Sequence, residues 1–443
     1  MIRFALMLVI ALTTPPQISV DQDEDPRKIS GLNYQDIGAM EELDTFDPSN
    51  EQFKKLLYRT GTVDPLVLRQ FASLTKKITF PAVIDAPEEH YFYPFELETT
   101  VLSVHRFDFD REDARDFLSG FYIALCKSKD GNRFYLLTRS TVSTWPLNET
   151  LPNPQPIRFK GFFFAKLKPG RGFQPNGNET GALPIFVAKR FEWHPYQANE
   201  ALGVDDSMVA LSNAGVDISL LDFVKARNGK SIGTRESTCY WQMLAACKTL
   251  EPNPADKRID FASMLTKPLE NVGKRATITG RVRQCVPVKV TAPEAVELLG
   301  TDTWYQLSVF PDLDGRPIRV PTRDGDPEVY RNAFPVTVCV LDLPESYDQD
   351  SIIGNTFVCD GFFYRIWAYP SERTDKSKLD NQQSPLIMAS VMTKVESTGG
   401  QLQMLLVAIL FSIAIAIAAI GWFVFRTKKS APLTELPEKI EAW

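Results

Sequence analysis

Two stretches of the chain alternate between apolar and polar positions in the same way. In residues 121–140 (FYIALCKSKDGNRFYLLTRS) and 305–324 (YQLSVFPDLDGRPIRVPTRD) an apolar run leads into Asp-Gly, at Asp130-Gly131 and Asp314-Gly315. A second extended run then ends in Thr-Arg, at Thr138-Arg139 and Thr322-Arg323. Asp-Gly between two such runs predicts a hairpin, because both central residues of a type I′ turn need positive φ. The match continues in order along the chain. QFASL (70–74) meets DFASM (260–264), KGFFFAKLKP (from 160) meets DGFFYRIWAYP (from 360), and LPIFVA (from 183) meets SPLIMA (from 384). The offset grows from 184 at the hairpins to 201 at the last match. An offset of that kind predicts a tandem duplication with insertions in the second copy.

The finer pattern predicts similar elements in the two copies. Ser49 and Gln52 have capping-box spacing, and Phe53, Leu56 and Leu57 follow at helical intervals, which predicts a helix over 51–58 and a second over 65–74. Extended runs predict strands at 98–106, 121–127, 133–139, 156–167 and 184–192. Small residues across 198–215 predict a linker. The second unit opens with helices over 216–227 and 237–250, the latter carrying Met243, Leu244, Cys247 and Leu250 on one face. Its strands are predicted at 275–283, 303–310, 317–321, 335–341, 356–369 and 385–394. The run VTVCVLDL (336–343) has no counterpart in the first unit and accounts for much of the growing offset.

Five short strands around a central hairpin suit a small barrel, closed or nearly so. The matched Gly161 and Gly361, each followed by aromatic residues, would bend a long strand around it. GKRATITGRVR (273–283) resembles the opening strand of an OB-fold, with its internal glycine. The expected fold class is therefore mainly β with short helices: two duplicated small barrels similar to tandem OB-fold domains, plus one C-terminal transmembrane helix. The units are expected at 28–197 and 216–396.

The termini add an address. Arg3 before the apolar run 4–12 resembles a secretory signal peptide over about 1–20, and nine apolar residues are too few to span a bilayer. MLLVAILFSIAIAIAAIGWFVF (404–425) carries no charge across 22 residues and is followed by Arg426, Lys428 and Lys429. It predicts a membrane-spanning helix with a cytoplasmic tail at 426–443. The expectation is a single-pass protein of the cell membrane, its barrels outside the cytoplasm and the membrane its partner through that helix. The formal charge of the whole chain is −6. Without Arg3 and the basic tail the remainder is near −8. A nucleic-acid partner is not expected, because its phosphates call for a basic footprint.

Six cysteines, Cys126, Cys239, Cys247, Cys285, Cys339 and Cys359, would face an oxidising compartment. The repeat matches Cys126 to Phe310, Cys247 to Leu57 and Cys359 to Phe159, so mostly buried thiols are expected. Cys339 with Cys359 is the first pair to suspect of a disulfide.

Catalytic signatures are missing: there is no GxSxG, HExxH or P-loop, and no SxxK with its partner motifs. No cofactor is implied. The three histidines, His90, His105 and His194, all fall in the first unit. A metal site using His105 and His194 on neighbouring strands, with Glu88 or Glu89 beside His90, stands against scattered surface or packing histidines; the latter is favoured and no metal is expected. Asp108, Asp110, Glu112, Asp113 and Asp116 lack the glycine and final glutamate of an EF-hand and read as a solvated loop. Arg139 and Arg323, matched between copies, can meet an anionic ligand or close the barrel edge with an ion pair. Phe162, Phe164 and Tyr364, with Trp367 and Tyr369, are candidate stacking platforms, although alternation sends half of such rings inward. Asn148 and Asn178 begin glycosylation sequons. The expected function is a non-enzymatic, membrane-anchored binding protein with an unidentified protein partner. Alternatives are an enzyme with a site in one copy, marked by His105 or His194 beside a carboxylate, or an OB-like oligosaccharide-binding module.

Overall fold

The computed structural model describes residues 25–76, 78–109, 119–170, 181–252, 256–320, 327–370, 381–396 and 399–427. Residues up to 393 form one unit and those from 394 another. Four helices open the first: α1 (Tyr34–Glu41), α2 (Glu51–Thr62), α3 (Pro65–Leu74) and α4 (Phe80–Asp85). A two-residue strand, β1 (Thr45–Phe46), lies between α1 and α2. Five strands follow: β2 (Pro94–Asp108), β3 (Gly120–Ser128), β4 (Arg133–Thr138), β5 (Glu149–Pro169) and β6 (Leu183–Trp193). They lie in the order β5-β2-β3-β4-β6, and β6 pairs back onto β5 to close the ring, with β1 along the outside of β5.

A helical layer comes next: α5 (Asp206–Asn213), α6 (Leu221–Ala226), α7 (Ser237–Ala246), α8 (Phe261–Thr266) and α9 (Pro268–Asn271). The second ring uses β7 (Arg275–Lys289), β8 (Thr303–Phe310), β11 (Val336–Val340), β12 (Thr356–Tyr369) and β13 (Gln382–Lys394). Helix α10 (Pro293–Leu299) sits between β7 and β8, and a small hairpin, β9 (Ile318–Val320) with β10 (Glu328–Tyr330), between β8 and β11. This second ring is a closed barrel. In both rings the third and fifth strands pair in parallel, β4 with β6 and β11 with β13.

The registers show the repeat residue by residue. Gly161 faces Phe95 across the first and fourth strands, and Gly361 faces Ala276 at the same place. A Cβ on Gly161 would lie 2.4 Å from the Val187 carbonyl oxygen, and on Gly361 2.0 Å from that of Met388. The fourth strand thus crosses the fifth too closely for any side chain. Two residues on, the Phe163 N–H donates to the Tyr93 carbonyl at 2.9 Å, as Phe363 does to Lys274 at 2.9 Å. The return bonds come from the N–H groups of Phe92 and Gly273. Both residues are left-handed, with φ of 64° and 83°. Glycine adopts that region freely, whereas Phe92 is held there with its ring fully buried.

A repeated aromatic triangle ties each barrel to a helix. Phe53 of α2 meets Phe121 at 5.0 Å and Phe164 at 5.8 Å. Tyr240 of α7 meets Trp304 and Tyr364, both at 5.7 Å. The second barrel is also fixed by a fully buried ion pair. Arg365 donates to both carboxylate oxygens of Glu236, at 2.9 and 2.7 Å, and to the carbonyls of Lys230 and Ile366. The first barrel is joined to the helical layer through Asp217, which accepts from the Trp193 N–H, from Ser219 and from Arg190.

Several expectations are corrected. The Asp314-Gly315 turn leads to β9, outside the barrel, where Leu313, Val320, Tyr330 and Phe334 form a small core of their own. The third strand of the second ring is β11, so 336–343 does have a counterpart, namely β4. That place is buried on both faces. Val336–Val340 is buried at every residue, whereas β9 carries the exposed Arg319. Within 198–215, expected as a linker, Asp206–Asn213 is helical and Leu202, Val204, Met208 and Leu211 are buried. No disulfide joins Cys339 to Cys359, which belong to different hydrophobic clusters; all six cysteines are free thiols.

The transmembrane expectation is also corrected. Among the described residues, no helix is long and apolar enough to cross a membrane. The terminal helix, α11, covers Gly399–Thr427. The single-pass placement at a cell membrane is withdrawn with it. The stretches 1–20 and 428–443 lie outside the described residues.

Two predictions follow from this packing. Gly161→Ala and Gly361→Ala should each cost about 1–3 kcal/mol in chemical unfolding. Gly181→Ala, whose Cβ would meet nothing within 4 Å, should be nearly silent. Arg365→Met should cost about 3–5 kcal/mol by stranding Glu236, and adding Glu236→Gln should recover much of that loss. Equal costs for the single and double variants would count against a coupled pair.

Candidate functional site

Most of the rings expected to stack a ligand are core residues. Phe162, Phe164 and Tyr364 have no exposed surface, and Trp367 has 1%. Trp367 donates from its indole N–H to Thr337 Oγ1 at 2.9 Å and stacks on the partly buried Tyr369 at 4.6 Å. Arg139 is half-buried against Gly61 of α2. Arg323 lies outside the described residues, as do the acidic-cluster positions Asp110, Glu112, Asp113 and Asp116. His105 on β2 and His194 after β6 are not on neighbouring strands, because β5 lies between them. His90 lies in a separate turn, its ring tilted against that of Tyr93 at 5.8 Å. Among the described residues no group of three potential metal ligands gathers.

The outer faces of the second and third strands are occupied by the chain itself. Phe121, Ile123 and Leu125 on β3, with Tyr135 and Leu137 on β4, are buried. Helix α2 lies across them from Phe53, on Phe121, to Gly61, on Arg139. In the second barrel α7 does the same: the Tyr240 hydroxyl is 3.3 Å from Cys339 Sγ on β11. These are the faces that OB-folds commonly use for ligands. Burial beneath the helices excludes them here.

The outer side of β2, β5 and β6 is different. Glu96 faces Lys160, and Glu98 faces Arg158, across β2 and β5; Arg158 then faces Glu192 across β5 and β6. Opposite charges at directly facing positions attract across a sheet. Lys160 bonds Glu192 at 2.8 Å and lies 3.5 Å from Glu96. Glu98 accepts from Lys129 at 2.6 Å and from Arg158 at 2.7 Å. Those two partners hold the Glu98 carboxyl at about 2, far below its ordinary range. Burial alone would raise Glu192, but Lys160 outweighs it and keeps that carboxyl low.

At the end of this ladder a cleft of about 240 Å³ is lined by Glu98, Thr99, Lys129, Pro156, Arg158 and His194. The backbone N–H of His194 donates to the Pro156 carbonyl, which fixes the residue at the rim. Its Nε2 is buried and has no hydrogen-bond partner. The register places Thr279 and Val358 in the second barrel where the first has Glu98 and Arg158. The cleft chemistry therefore belongs to one copy. In the sequence its signal was the spacing Glu96-x-Glu98, Arg158-x-Lys160 and Glu192-x-His194, legible only once the three strands are known to be neighbours.

No protein-family model matches the chain, and no curated protein matches it. Among solved structures it has similarity to a Plasmodium falciparum SSB complex with ssDNA, at 13% identity over 28% of this chain and 94% of that one, with a TM-score of 0.14. A deletion mutant of the single-stranded DNA binding protein from Thermus aquaticus matches at 8% identity over 68% of this chain and 94% of that one, with a TM-score of 0.14. Likeness at that TM-score carries no argument about this chain.

Because the folded Glu98 carboxyl lies below its unfolded value, its contribution to stability is present above about pH 4.5 and fades as pH falls toward 2. The side chain is 49% exposed, so solvent screening limits that contribution to less than about 1 kcal/mol. Carboxyl NMR between pH 2 and 6 should show Glu98 titrating well below the other glutamates and moving upward in Arg158→Gln. A Glu98 indifferent to Arg158 would contradict the ladder.

Proposed function

We propose that the chain is a non-enzymatic binding protein whose recognition surface is the charged outer side of β2, β5 and β6 on the first barrel. One observation carries the reading: α2 and α7 cover the strand-two and strand-three faces of the two barrels, while at the cleft end of the ladder Lys129, Glu98 and Arg158 stay 75%, 49% and 42% exposed. The finer description as a pair of OB-like barrels belongs to this proposal. It is supported by five strands per ring, the same ring order in both, and the parallel closing pair. An oligosaccharide platform is disfavoured by the burial of the aromatic rings. A nucleic-acid partner is disfavoured by the net charge of −6.

The enzyme alternative draws no support from the cleft carboxylate or from the cysteines. Glu98 lies in the cleft with His194, yet two cations keep it ionised, so it is a poor proton shuttle near neutrality. Burial pushes the Cys126, Cys239 and Cys247 thiols far up, those of Cys339 and Cys359 to about 12, and Cys285 to about 11. None is a ready nucleophile.

Proximity labelling in the source cells, with wild type and Arg158→Glu compared, tests the reading. The expected result is a reproducible set of neighbours whose labelling drops several-fold in the variant while its thermal unfolding is little changed. Identical neighbour sets for the two proteins would overturn it.

A further inference from the structure

We propose that the cleft at His194 is a site for a small oxyanion, a carboxylate or a phosphate group, held by Arg158, Lys129 and the His194 ring. The inference rests on the reading of this face as a recognition surface and adds the chemistry of what it recognises. Three observations meet there. Among the charged residues lining the cleft, Lys129 and Arg158 stand against Glu98 alone. Each cation spends one hydrogen bond on Glu98, Lys129 through Nζ and Arg158 through one terminal nitrogen. An ammonium carries three donors and a guanidinium five, so both keep donors for a second acceptor.

The third observation is the buried, unpartnered Nε2 of His194. A buried polar nitrogen with no partner is costly. In its Nε2–H form it would donate to an oxyanion lying between it and the two cations. Glu98 then acts as a positioning residue, since its two bonds fix both cations on one wall of the cleft. Of the neighbouring carboxylates, Glu96 and Glu192 are engaged by Lys160 and also act on Arg158 through their charge, whereas Lys129 pairs with Glu98. The second barrel, with Thr279 and Val358 at the places of Glu98 and Arg158, offers no such set, so one oxyanion per chain is the expected stoichiometry.

The test uses the full chain and its three histidine ring signals in side-chain NMR, with inorganic phosphate and acetate titrated separately. The expected result is a saturable shift of the His194 ring alone, with dissociation in roughly the millimolar range for at least one ion. His90 and His105 should not move. Arg158→Gln should weaken binding by roughly tenfold or more, and Lys129→Gln by less. Phosphate acting alone would point to phosphoryl ligands, and acetate acting alone to carboxylates. No saturable shift with either ion, or equal binding in Arg158→Gln, would overturn the site. Failure here alongside Arg158-dependent partner labelling would leave a docking face without an oxyanion. Anion binding without such labelling would instead sink the partner reading alone.

Discussion

Everything in the larger unit depends on how closely two strands can cross. Each ring closes where its fourth strand passes over its fifth, and there the carbonyls of Val187 and Met388 occupy the space of a side chain. Only glycine fits, and glycine stands at both places. The same crossing sets the phase of the long fourth strand, so that Phe159 and Phe163 fill the first barrel while Phe162 and Phe164 face the helices. From Gly161 to Ala165, where it is buried on both faces, that strand reads as an unbroken apolar run.

What covers the barrels follows from that phase. The outward aromatic residues of the fourth strand need a partner, and each copy supplies a helix from its own preface, Phe53 on α2 and Tyr240 on α7. The copies solve the same packing problem with different chemistry. The first uses phenylalanine throughout the triangle. The second uses tyrosine and tryptophan: the Tyr240 hydroxyl meets Cys339 and that of Tyr364 meets Glu236, while the Trp304 indole N–H is buried without a partner. Divergence on the other side went further: where the first barrel has Glu96, Glu98, Arg158 and Lys160, the second has Thr277, Thr279, Val358 and Asp360, the last paired with Arg258.

The barrels were largely legible in the sequence. The glycine match, the aromatic match at 160 and 360, and the last-strand match at 183 and 384 all coincide with the observed registers. The hairpin match misled, because Asp-Gly specifies a local turn and says nothing about which strand the turn delivers to the ring. Two-sided burial decides that, and Val336–Val340 meets it where Ile318–Val320 does not. The aromatic platforms were misplaced for a related reason: a ring on the outer side of a strand looks available until the helix covering it is known. The ladder went unnoticed because its charges are joined across strands distant in sequence.

The parallel pairing of third and fifth strands has a consequence for a chain emerging from the ribosome. The first ring cannot shut until residues 183–193 have been made, nor the second until residues 382–394. Glu236 emerges 129 positions ahead of Arg365, its ion-pair partner. During synthesis the finished first barrel therefore sits beside a helix whose carboxylate remains hydrated, and that charge is drawn out of water only when the second barrel arrives to neutralise it.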